Sequence, residues 1–66
     1  MKNTIKVQRA IKGLTQEELA QKVSVSRQTI NAMEANKYVP STVLALKIAR
    51  VFEKPIEEIF LLENTD

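Results

Sequence analysis

The sequence predicts an all-α fold in a single domain, on three observations. Apolar residues recur at three- and four-residue spacing along the whole chain. One Gly and two Pro are too few turn-formers for an all-β design. Hydroxyl residues that cap helix starts, Thr15, Ser26 and Ser41, stand just ahead of apolar-periodic runs. At 66 residues there is room for one small core, and a chain of this size buries only about 60% of its unfolded surface.

Helix one is expected from about Ile5 to Lys12, with Asn3 or Thr4 as cap. Its Ile5, Gln8, Arg9 and Lys12 share one face, and Val7 and Ile11 share another. Gly13, the only glycine, stands where a helix C-terminus wants a left-handed residue. Helix two opens at Thr15, where Thr15-Gln16-Glu17-Glu18 reads as a capping box. Leu14 can staple onto Leu19, and Leu19, Ala20 and Val23 form the inner stripe, with the helix stopping near Val23. After the Ser24-Val25 turn, Ser26 caps helix three, Arg27 to about Ala35, and Asn36 is its left-handed terminator. Ser41 or Thr42 caps helix four, which runs to about Phe52. Leu44, Ala45, Ile48, Ala49 and Phe52 make its stripe; Val43, Leu46 and Val51 widen it, so this helix is expected to be covered on most sides. Pro55 suits the first position of a short helix five carrying Ile56, Ile59 and Phe60.

Composition narrows the function. The chain has no Cys and no His, which removes thiolate zinc sites, the commonest metal ligand and the commonest general base. No glycine-rich phosphate loop or credible carboxylate dyad is present, so an enzyme is rejected, and no catalytic residue, metal or cofactor is expected. No apolar run is long enough for a membrane span, and no small-molecule ligand is evident. The expected setting is cytoplasmic. Charge is asymmetric: residues 1–38 hold seven basic against three acidic residues, net +4, and residues 39–66 hold three against five, net −2. The basic half is the one suited to meet an anion.

Two short helices joined by a tight turn, the second opening at a serine and bearing long amides, look like a helix-turn-helix, here residues 15–36. The likeness extends to Leu14-Thr15-Gln16-Glu17-Glu18-Leu19-Ala20, Val25-Ser26-Arg27-Gln28-Thr29-Ile30-Asn31, Glu34, Tyr38-Val39-Pro40-Ser41 and Leu44-Ala45-Leu46-Lys47-Ile48-Ala49. With these segments the chain resembles the phage repressor/Cro (XRE) family, nearest its short cytolysin-repressor-like members. The resemblance implies a five-helix lambda-repressor-like DNA-binding domain, with a small N-/C-terminal strand pair as an optional addition. It also implies a homodimer on a two-fold operator in double-stranded DNA.

Within that resemblance, Gln28 and Asn31 are the base-reading pair, since Gln and Asn can each bond adenine N6 and N7 together. Ala32 is placed to touch a thymine methyl. Arg27 either reads guanine or clamps a phosphate. Gln16 is implied to donate to a phosphate and to brace Gln28. Thr29 can bond a phosphate or be structural. Asn36, Lys37 and Tyr38 follow the recognition helix and are candidates for backbone contact, although Tyr38 can instead pack on helix four. Glu34 would repel DNA and is implied to pair with Arg9, tying helix three to helix one. Relatives commonly carry leucine where this chain has Gln8, which leaves Val7 and Ile11 to take the inward role. The apolar tail, Ile56, Ile59, Phe60, Leu61 and Leu62, is expected to form the dimer contact within residues 54–63, because a domain this small gains stability by association. The leading expectation is a sequence-specific transcriptional repressor. The alternative is an antitoxin-like protein-binding module with secondary DNA binding.

Overall fold

The computed structural model describes residues 1–66. A two-residue strand β1 (Lys2–Asn3) leads into α1 (Ile5–Lys12), followed by α2 (Gln16–Lys22), α3 (Arg27–Glu34) and α4 (Thr42–Phe52). A single 3-10 turn (Ile56–Glu58) then leads into β2 (Phe60–Leu61). The strands pair antiparallel, Lys2 with Leu61 and Asn3 with Phe60, which brings the two ends of the chain together.

Local chemistry accounts for the helix ends. Thr15 Oγ1 accepts from the Glu18 amide at 3.0 Å, and Glu18 Oε1 accepts from the Thr15 amide at 2.9 Å, closing a reciprocal capping box on α2. Ser26 and Ser41 cap α3 and α4, accepting from Thr29 and Leu44 amides, each at 3.2 Å. At α1 the work falls to Asn3, whose Oδ1 accepts from the Ile5 amide at 3.1 Å. Gly13 (φ 68°) and Asn36 (φ 60°) take the left-handed conformation after α1 and α3. Ser24 (φ 61°) and Glu53 (φ 55°) do the same after α2 and α4, although neither residue type announces it.

The core is assembled from one stripe per element: Ile5; Leu19, Ala20 and Val23; Ile30 and Met33; Leu44, Ile48, Ala49 and Phe52. Ile59 completes it. Leu14 and Val25 pack against this cluster from either end of α2.

Four expectations are corrected by this arrangement. There are four α-helices, not five. Residues 56–58 instead close a 3-10 turn, the Glu58 and Ile59 amides donating three residues back to the Pro55 and Ile56 carbonyls at 3.0 Å, and Phe60 then pairs with Asn3 in the strand ladder. Ile59 is fully buried in the domain's own core and is not a dimer contact. Val7 and Ile11 do not turn inward; they are 57% and 66% exposed, because α1 rolls to bury Ile5 and to turn Arg9 toward α3. Nor is α4 covered on most sides: Val43 and Leu46 are 63% and 55% exposed. Its buried residues lie on one side of the helical wheel, and these two lie opposite.

Candidate nucleic-acid interface

On α3, Ile30 and Met33 are locked into the core while Arg27, Gln28 and Asn31 are exposed. At 100° per residue Gln28 and Asn31 lie opposite Ile30 and Met33 with Ala35 between them, and half-buried Ala32 and exposed Arg27 flank that arc. The helix that presents the amides is therefore held from behind by packing and at its start by the Ser26 cap. Ser26 Oγ and Thr29 Oγ1 lie 3.0 Å apart and bond each other, so the Thr29 hydroxyl is part of that cap.

Beneath the exposed face runs a polar brace. Arg9 grips Glu34 through two parallel bonds, Nε to Oε2 at 2.6 Å and an Nη to Oε1 at 3.1 Å, and its other Nη donates to the Leu14 carbonyl at 3.0 Å. The two side chains are 15% and 8% exposed, so the pair is largely shielded from water. Burial by itself pushes the Glu34 carboxyl up. The bonds from Arg9 and Gln16, with the charges of Arg9 and Lys6, outweigh it and hold the group below its ordinary 4.5. The Glu34 hydrogen bond in turn holds the Arg9 guanidinium above its ordinary value.

Gln16 departs from its expected role. Its Nε2 donates to Glu34 Oε1 at 3.0 Å and to Asn31 Oδ1 at 3.2 Å; it braces Asn31, not Gln28. A primary amide nitrogen carries two hydrogens, and here both have acceptors within the domain.

The rest of the set lies past the C-terminal end of α3. The Asn36 amide donates to the Met33 carbonyl at 3.0 Å, and Asn36 Oδ1 accepts from Asn3 at 3.2 Å, which leaves its Nδ2 without a partner in the domain. Lys37 and Tyr38 are exposed, Tyr38 at 45%. Lys12, a basic residue of α1, is tied to Glu53 at 2.8 Å.

Asn3 was not among the candidates, yet its Nδ2 donates to the Met33 carbonyl at 2.7 Å and so fastens the end of α3 to β1. No local sequence signal marks this contact, because it depends on how the N-terminal strand docks. A shallow hollow of about 440 Å³ is lined by Lys12, Leu14, Lys22 and Val51, and none of the α3 side chains reach it.

A capped second helix, outward amides on a rigid scaffold and a basic half at the same end define a helix-turn-helix DNA-binding domain. The helix-turn-helix family model matches residues 5–59, and the chain belongs to that family, in its XRE-type branch of transcriptional regulators. Three similar proteins are described only as uncharacterised HTH-type transcriptional regulators. The one from Methanocaldococcus jannaschii is 54% identical over 66 residues, covering both chains fully. YgzD of Bacillus subtilis is 49% identical over 64 residues, 97% of each chain. One from Archaeoglobus fulgidus is 50% identical over 66 residues, all of this chain and 94% of its own. The protein is a DNA-binding transcriptional regulator. No helix is long and apolar enough to cross a membrane.

Proposed function

We propose that this regulator binds a palindromic operator as a homodimer, laying one α3 from each copy into the major groove, and that it represses by occupying the site. The observation that carries the reading is the split of α3, with Ile30 and Met33 at 0% and 1% exposure behind and Gln28 and Asn31 exposed in front. In this reading Gln28, Asn31 and Ala32 meet base edges and Arg27 meets guanine or phosphate. Lys37, Tyr38, Asn36 and the rim of the Thr29–Ser26 cap meet the sugar-phosphate backbone. One eight-residue helix supplies too few base contacts for specific binding. Two copies related by two-fold symmetry, about 34 Å apart, supply enough.

The dimer contact is assigned to Ile56, Phe60, Leu61 and Leu62. Leu62 is 83% exposed and Leu61 40%, beside half-buried Ile56 and Phe60, an apolar surface that a second copy would cover. The −2 charge of the second half keeps that end away from the phosphates. A cytoplasmic location goes with this role.

The experiment is a mobility-shift series on palindromic and scrambled duplexes with sedimentation of the complex. Two chains per duplex, a clear preference for the palindrome and a steep fall of affinity with salt are expected. Equal, weak binding to every duplex would overturn the reading. A second reading, a protein-binding module of antitoxin type, draws on exposed Val7 and Ile11, which the tail contact does not use. Co-purification of this chain with a larger protein that releases on Ile11→Asp would favour it.

A further inference from the structure

We infer that Asn3 links the apolar tail to the recognition helix: it ties the strand pair that carries the tail to the C-terminal end of α3, so that covering the tail with a second copy tightens that end and raises each protomer's own affinity for DNA. This rests on the reading above, that the tail is the dimer contact and that α3 enters the major groove.

The link is one side chain engaged through both ends of its amide. The Ile5 amide only donates, so the Asn3 atom 3.1 Å from it is Oδ1. The Met33 carbonyl only accepts, so the Asn3 atom 2.7 Å from it is Nδ2. The second hydrogen of that nitrogen goes to Asn36 Oδ1 at 3.2 Å. Met33 carries one of the last carbonyls of α3, which the helix ladder leaves unpaired, and it also accepts from the Asn36 amide at 3.0 Å. Asn3 therefore fixes the chain where α3 ends, and it turns left-handed Asn36 (φ 60°) so that Nδ2 is the free end. On its other side Asn3 pairs with Phe60, and Lys2 with Leu61, two residues assigned to the dimer contact. No other hydrogen bond joins the strand pair to α3.

Two strands of two residues each make a pair that is marginal by itself. Thr4 reinforces it, its amide and hydroxyl donating to the Ile59 and Glu58 carbonyls at 2.8 Å, so β1 and the residues ahead of β2 move as a unit. When the pair opens, Asn3 leaves with it; Met33 loses its side-chain donor and Asn36 its orientation. A second copy seated on Phe60, Leu61 and half-buried Ile56 binds only the closed pair and shifts the balance toward it. A phosphate that accepts from Asn36 Nδ2 favours the same closed state. Two partners of one state strengthen each other, and the effect is reciprocal. This gain is distinct from that of two copies sharing one palindrome, because it operates within a protomer and shows on a single half-site.

The test is a double-variant cycle on a short duplex holding one half-site of an operator selected from a random pool. Leu62→Ser removes self-association. Asn3→Ser keeps an oxygen for the Ile5 amide but is too short to reach Met33 or Asn36. In the otherwise wild-type chain, Leu62→Ser should weaken half-site binding about fivefold per binding face, the low end of ordinary coupling. Beside Asn3→Ser it should change binding hardly at all, with all four chains folded by circular dichroism at the assay temperature. Without DNA, hydrogen exchange at the Asn36 amide should slow as wild-type concentration rises through the dimer range, and should ignore concentration in Asn3→Ser. Equal losses in both backgrounds, or wild-type exchange at Asn36 independent of concentration, would overturn the inference. So would sedimentation as a monomer throughout, which also strikes the tail assignment. Slowed exchange at Asn36 with no preference for the half-site over scrambled duplex would uphold the link and strike the groove reading instead.

Discussion

The two helices α3 and α4 begin alike and end in different business. Each is capped by a serine hydroxyl accepting from an amide three residues on, each at 3.2 Å, and each buries one stripe in the same core. Their outer faces diverge. That of α3 carries Arg27, Gln28 and Asn31, groups that satisfy themselves equally with water or with base edges; that of α4 carries Val43 and Leu46, more than half exposed, with Lys47 and Arg50 beside them. A polar face loses little when alone in water and gains specificity on a polar partner. An apolar face gains only when another surface covers it. The difference is a division of labour: α3 with its brace presents a polar face, and α4 presents an apolar one.

That division is most severely tested by Ile59, which lies beside the assigned dimer surface yet is wholly inside the monomer's core. Ile59→Ala should lower stability by about 2–5 kcal/mol, the usual range for truncating a buried isoleucine, measured by urea unfolding. Leu62→Ser should leave the unfolding free energy at low concentration unchanged and weaken self-association, read by sedimentation. If the two variants behaved alike, the boundary between core and contact surface would lie elsewhere.

The brace comes next. Arg9→Ala strands the shielded Glu34 carboxylate and should destabilise by about 3 kcal/mol, the low end for breaking a buried pair. Acid should remove the same contribution. Because the folded Glu34 carboxyl sits below its ordinary 4.5, the stability it adds is full above that value. It is lost as pH falls through the lower folded value. Urea midpoints of wild type and Glu34→Gln should therefore differ at pH 7 and converge toward pH 3.

The smallest effect expected is at the cap. Ser26→Ala should cost about 1 kcal/mol. It should also loosen the first turn of α3, seen as faster hydrogen exchange at Thr29. The Ser41→Ala change on α4 should have the same size but leave DNA affinity untouched. A loss of binding from Ser41→Ala would blur the contrast between the two helices.

Much of this was legible in the chain because it is local. The capping box spans four residues, Gly13 and Asn36 are the residue types that accept a left-handed φ, and the alternation of Ile30 and Met33 with Gln28 and Asn31 is written in one turn and a half. What was not legible is distant or has no type signature. Residues 56–60 have helical spacing, but Phe60 pairs with Asn3 across the whole chain and Thr4 docks on the Glu58 and Ile59 carbonyls, so the element stops at one 3-10 turn. Ser24 and Glu53 adopt left-handed φ at positions that composition does not mark. The inward face of α1 follows from Arg9 turning to Glu34, an interhelical event, so Val7 and Ile11 went the other way. The Gln16–Asn31 bond depends on the angle between α2 and α3, and no spacing rule contains that angle.

On the proposed function, the outer face of α3 meets the bases. Side-chain amide resonances of Gln28 and Asn31, followed by NMR while a selected palindromic duplex is titrated in, test it most directly. The prediction is that both shift strongly and show nuclear Overhauser contacts to base protons in the major groove, while Val43 and Leu46 methyls stay unmoved by DNA. Large shifts confined to α1 or α4, with the two amides unperturbed, would contradict it.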